Sequence, residues 1–136
     1  MHDASTEALA ELAAFERFCD WLITDRGTPF KLEEWQREVL LDYFNGAQES
    51  VILIGKGNGK TTLFGALSLF HLLTVPDADA YIAAASRDQA SLMYRHAVGF
   101  VRRQPKLEER ILIKAGTREL RQVGGTGRLK VLASDS

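Results

Sequence analysis

Ser50-Val-Ile-Leu-Ile-Gly-Lys-Gly-Asn-Gly-Lys-Thr-Thr62 is the stretch on which the fold turns. Its first part, Ser50 to Ile54, is a short apolar run of the length and residue type of a buried strand. The glycine segment Gly55-Lys-Gly-Asn-Gly-Lys-Thr61 follows at once, and a helical stretch from Lys60 to about Thr74 comes after it, stopping near Pro76. A glycine loop that joins a strand to a helix is the setting of a phosphate-binding P-loop. Gly55, Gly57 and Gly59 permit positive φ and let the backbone approach an anion without a Cβ in the way. Amide N–H groups of the loop, Asn58 among them, then point inward, and the helix adds its positive end. Lys60 is placed to reach the β and γ phosphates, and the Thr61 hydroxyl to ligate magnesium. The predicted ligand is ATP, or a related nucleoside triphosphate, with Mg2+. In one respect the loop is a variant: the general pattern has a glycine where this sequence has Ile54. Lys56 adds a second cation, which either touches phosphate or stays solvated.

Working outward, Ser5 to about Asp25 has apolar residues at helical steps, with Leu9, Leu12, Phe15, Cys19 and Leu22 as its expected buried face. Gly27 and Thr28-Pro29 break it. A second helix is expected from Glu33 to Phe44, with Trp35, Val39, Leu40 and Tyr43 buried and Asn45-Gly46 closing it. Downstream of the loop helix, Ala80 to Ala85 reads as another buried strand. Ser86 and Gln89 form a capping box for a helix to about Arg103, with Ala90, Met93, Ala97, Phe100 and Val101 inward and Pro105 at its end. Strand–helix–strand–helix order predicts an α/β fold: a P-loop NTPase-type parallel sheet flanked by helices, here incomplete. Near the C-terminus, 110–114, 119–123 and 128–133 read as short antiparallel strands, with Gly124-Gly-Thr-Gly127 as a turn. The 136 residues fit one domain, with 1–46 a helical lead-in and 50–136 the α/β core.

Composition narrows the function classes. Hydrophobic residues at 46% and charged residues at 26% are those of an ordinary globular chain. Lys+Arg at 17 against Asp+Glu at 18 gives a net charge of -1, which argues against a dedicated basic nucleic-acid module. Cys19 is the single cysteine, so neither an internal disulfide nor a cysteine zinc site is available, and a reducing compartment is expected. The N-terminus does not read as a signal peptide, and Leu63 to Val75 is too short to span a bilayer. The expectation is a soluble cytoplasmic protein with no membrane partner.

Other candidate residues are fewer. Gln36, ahead of the first strand, has the side-chain amide that can pair with N7 and N6 of adenine, although a solvent-facing helix glutamine is the simpler reading of the residue alone. Phe30 and Trp35 have rings suited to stacking on a base, but core packing suits them better. Hydrolysis needs a magnesium-side acid after a second strand. Asp135, after Val131-Leu-Ala-Ser134, is the late candidate and a poor one, because the run is short, broken by Ser134 and next to the terminus. His2, His71 and His96 lack metal-ligand spacing, and the Gly124–Arg128 loop suits a hairpin better than a phosphate.

Three segments together resemble the N-terminal ATPase portion of bacteriophage terminase large subunits, the motors that package viral DNA. They are Pro29-Phe-Lys-Leu-Glu-Glu-Trp-Gln36, Gly57-Asn-Gly-Lys-Thr-Thr62 and Ala83-Ala-Ala-Ser-Arg-Asp-Gln-Ala90. The resemblance implies that Gln36 contacts adenine, that Lys56 belongs to the phosphate loop, and that Thr62 joins Gly55–Thr61 in holding nucleotide. It implies double-stranded DNA, a small terminase subunit and a portal as partners, and the host-cell cytoplasm as location. The family's Walker B acids and nuclease carboxylates normally follow the point reached by Ser136, so the chain reads as a truncated terminase that binds nucleotide better than it hydrolyses it and tends to self-associate. Two other readings stay open: a helicase-like P-loop ATPase fragment, and a non-catalytic remnant or binding module that associates with a packaging complex.

Overall fold

The Ser5 hydroxyl opens the first helix by accepting from the Ala8 amide at 3.0 Å, the N-cap bond that satisfies one of the unpaired donors of the first turn. The computed structural model describes residues 5–45 and 60–133. The expected strand Ser50–Ile54, the loop Gly55–Gly59, the side chain of Lys60 and Asp135 lie outside the described residues.

Helix α1 covers Thr6–Trp21 and buries Ala8, Leu12, Phe15 and Cys19. Leu9, expected inside, is 50% exposed; Ala8 takes the inward position one residue earlier. The helix also ends four residues before Asp25. Leu22 turns extended and is fully buried, and Ile23 forms an antiparallel bridge with Pro29 around Gly27, which has φ +79°. Arg103 Nε donates to the Ile23 carbonyl at 2.6 Å and Gln104 Nε2 to the Trp21 carbonyl at 2.8 Å, so tertiary donors replace the hydrogen bonds that another helical turn would have supplied.

Helix α2, Glu34–Phe44, lies against α1 and is tied to it at the far end by Ser5 N donating to Asn45 Oδ1 at 3.1 Å. Phe15 of α1 stands in an aromatic cluster with Phe18, Phe44 and Phe70, the last with ring centroids 5.3 Å apart, and so joins the helical lead-in to the third helix.

Helix α3, Lys60–Thr74, spans the expected residues. Leu63, Phe64, Ala66, Leu67, Leu69 and Leu72 are all buried, and Ser68 is buried with its hydroxyl bonded to the Gly65 carbonyl at 3.0 Å. A helix apolar on every side belongs inside a fold. Strand β1, Asp79–Ala84, follows. Then come α4, Arg87–Arg103, and the short α5, Pro105–Glu108, which starts at the proline expected to end α4. The Ser86 hydroxyl accepts from Gln89 N at 3.1 Å, one half of the expected capping box, while Gln89 Oε1 accepts from Ala85 N at 3.0 Å.

Strands β2, Ile111–Lys114, β3, Glu119–Gln122, and β4, Arg128–Ala133, complete a four-stranded sheet in the order β1-β4-β3-β2. β2 and β3 are antiparallel, as are β3 and β4, while β4 crosses back to lie parallel to β1, from Asp79↔Arg128 to Ala84↔Ala133. The α/β class and the antiparallel C-terminal strands agree with the sequence. The expectation that β1 is buried on both faces does not hold: Asp79, Tyr81 and Ala83 are exposed, and only the alternate residues turn towards the core. The core face carries Ala84, Leu129, Val131 and Leu120. On the other face Arg128 bonds Asp79 at 3.0 Å and the Tyr81 hydroxyl at 2.8 Å, with its guanidinium 5.7 Å from the Tyr81 ring centroid.

Candidate nucleotide-binding site

Lys60 is the first residue of α3, so the predicted phosphate loop runs directly into a helix whose first amides have no intrahelical acceptor. Thr61 and Thr62, in that first turn, are half-buried. The Thr62 Oγ1 lies 3.3 Å from Nδ1 of His96 on α4. One turn further, α3 presses against α4 at Gly65, where an added Cβ would come within 3.2 Å of the Ala97 backbone nitrogen. The start of the loop helix is therefore held from the side by α4. Sequence alone did not give His96 this place; its distance of 34 positions from Thr62 leaves no local signal.

Gln36 is 1% exposed, which overturns the simple reading of a solvent-facing glutamine. Its Oε1 accepts from the Glu33 amide at 2.8 Å, the reciprocal bond of a capping box in which Glu33 stands where serine or threonine is usual. A glutamine three residues after an acid at a helix start was the available signal. Trp35 and Val39, expected in the core, are each 36% exposed, because the buried face of α2 runs through Gln36 and Leu40 instead. The Trp35 Nε1 donates to Glu33 Oε2 at 3.0 Å. Phe30 is buried as expected, against Phe100 with centroids 6.0 Å apart.

The parallel strands β1 and β4 end together at Ala84 and Ala133, and the C-terminal ends of parallel strands are where open α/β sheets bind ligands. The Gly124–Arg128 segment is not there. Leu72, in the last turn of α3, is 3.2 Å from where a Gly127 Cβ would stand, and Gln122 N donates to the Gly127 carbonyl at 2.8 Å. That turn is thus at the opposite end of α3 from Lys60, about 18 Å along a helix rising 1.5 Å per residue. No cluster of metal-ligating side chains occurs among the described residues. Burial lowers the pKa of His96 and of His71, so both rings favour the neutral form near pH 7. For His96 the nearby Asp25 opposes this shift, and Arg103 and Arg95 add to it.

A buried helix that follows the Gly55–Gly59 sequence, beside a sheet with a parallel pair, makes this an α/β domain. The comparisons with known proteins are more specific. The model of the terminase large subunit ATPase domain matches residues 35–136. The terminase large subunit of Enterobacteria phage HK97 is 30% identical over 118 residues, which cover 80% of this chain and 23% of that protein. The crystal structure of the HK97 bacteriophage large terminase aligns with a TM-score of 0.78 at 27% identity, covering 97% of this chain and 28% of that one. The chain belongs to the terminase large subunit ATPase-domain family. It spans about a quarter of the length of these relatives. Among the described residues no helix is long and apolar enough to cross a membrane.

Proposed function

We propose that residues 1–136 are the nucleotide-gripping part of a DNA-packaging ATPase, and that the ligand is ATP with Mg2+. The observation that carries this reading is the join between the Gly55–Gly59 sequence and α3, whose helix begins at Lys60 inside a domain of the terminase ATPase family. In this reading the loop amides, Lys56 and Lys60 surround the phosphates, Thr61 ligates magnesium and Thr62 closes the grip. Gln36 faces adenine. Double-stranded DNA, a small terminase subunit and a portal are the partners that family membership supports.

Grip and turnover are separable. Turnover needs a carboxylate on the magnesium side and a group that positions water. Among the described residues neither parallel strand ends in an acid: β1 runs into Ala85 and Ser86, and β4 is described to Ala133. The proposal for the 136-residue chain is binding with slow hydrolysis, and phosphate release tests it. The experiment is a melting curve of the 136-residue chain with and without Mg-ATP, together with steady-state phosphate release. A hundredfold excess of nucleotide over its dissociation constant stabilises a fold by about 2.7 kcal/mol, so an upward shift is expected with little phosphate released. An absent shift contradicts the nucleotide reading. Brisk, Lys60-dependent turnover contradicts the separation and makes Asp135 a working acid.

A further inference from the structure

A phosphate grip works only if its donors are held still, because a displacement of about 1 Å in a preorganised site removes much of its effect. In the first turn of α3, Thr62 is held by a side chain from another element, His96 of α4, at 3.3 Å. The carrier of that histidine is itself fixed on three sides. Gly65 lets the α4 backbone at His96 and Ala97 come so near that an added Cβ would stand 3.2 Å from the Ala97 nitrogen. Further along α4, Arg103 and Gln104 donate to the Ile23 and Trp21 carbonyls. Phe100 packs on Phe30. Chain segments from both sides of the loop thus converge on the helix that holds His96.

We propose that His96 is a positioning residue for nucleotide binding, acting through the Thr62 hydroxyl to fix the first turn of α3. The inference rests on the reading of Gly55–Thr61 as a phosphate loop. With its proton on Nε2, the neutral ring accepts at Nδ1 from the Thr62 hydroxyl. The bond sets the rotation of the first helical turn about its axis and, with it, the direction of the amides that follow the loop. His96 does not touch the nucleotide.

The test is a double-mutant cycle on the full 136-residue chain, with Mg-ATP affinity from titration as the first readout and thermal melting as the second. His96→Ala and Thr62→Val are each expected to weaken Mg-ATP binding about two- to tenfold, the range for one hydrogen bond. Combined, they are expected to be no weaker than the worse single variant, since both remove the same contact. His96→Asn, which keeps a polar atom at the position of Nδ1, is expected to recover most of the loss. A purely structural role would lower the melting temperature of His96→Ala and leave affinity unchanged, and that result overturns the proposal. So does a full multiplication of the two single effects, or an Asn variant as weak as the Ala variant. Lys60→Ala run in parallel separates the two levels. If it binds as wild type, the phosphate-loop reading fails first; if it alone loses binding, only the role of His96 fails.

Discussion

Gln36 joins two readings in one side chain. As a buried polar group its Oε1 completes the capping box of α2 by accepting from the Glu33 amide, and in the proposed function it reads adenine. The two make different predictions. Gln36→Ala removes the cap and leaves the Glu33 amide unpaired, which should cost about 0.5–2 kcal/mol of stability in chemical denaturation. If the amide also reads adenine, the same change should narrow the preference for ATP over GTP by about tenfold, the size of one bidentate pair. Competition titrations with both nucleotides check this, and an unchanged preference reduces Gln36 to a cap. Spacing alone nominates Lys60, Thr61 and the glycines, and of these the described residues place Lys60 and Thr61 at the head of α3. The burial of Gln36 was not legible in the sequence, because helical periodicity assigns the inward face to apolar residues, and the neighbouring Trp35 and Val39 outscored it. His96 was illegible for another reason, since its partner Thr62 comes from a different helix.

At the level of elements, helices α3 and α4 owe their close approach to Gly65. Gly65→Ala tests it with two opposed effects. Alanine improves helix propensity by about 1 kcal/mol, but its Cβ would stand 3.2 Å from the Ala97 nitrogen and 3.5 Å from its Cα, against backbone that cannot rotate away. Overpacking of this kind costs about 1–3 kcal/mol, so the net expectation is destabilisation by about 1 kcal/mol. Urea unfolding of the two forms measures it, and a stabilised variant would show that the helices separate freely. The elements themselves were largely readable. α3 and α4 match their expected spans because capping and breaker residues, Ser86, Gln89 and Pro76, bound them locally. The end of α1 was missed because the groups that terminate it, Arg103 and Gln104, lie about eighty positions away. The return of β4 to pair with β1 is likewise a non-local choice, made by burial of Val131 and Leu129 under the helices.

For the molecule as a whole, two of the described histidines contribute to the response to acid. His71 and His96 both have pKa values lowered below 6.5, chiefly by burial. Between the lowered folded values and 6.5 the unfolded chain binds more protons than the folded one, so stability is complete above about pH 6.5 and falls as pH drops through that window. Urea midpoints should therefore be lower at about pH 5.5 than at about pH 7.5; a midpoint that holds or rises on acidification would contradict the burial of these rings. The fold class and the family were legible in one stretch of thirteen residues and two flanking segments, because a phosphate loop constrains chain direction and backbone freedom together. The sheet face carrying Tyr81, Leu112 and Leu132 was not, since alternation in β1 is masked by its alanines. The central claim, that this chain holds Mg-ATP through Lys60 at the head of α3, is tested most directly by calorimetric titration of wild type and Lys60→Ala with Mg-ATP, after their melting curves without nucleotide have been matched. Saturable one-to-one binding by wild type, weakened about tenfold or more in the variant through loss of a charge-assisted phosphate contact, is the predicted result; equal affinities in the two proteins would contradict it.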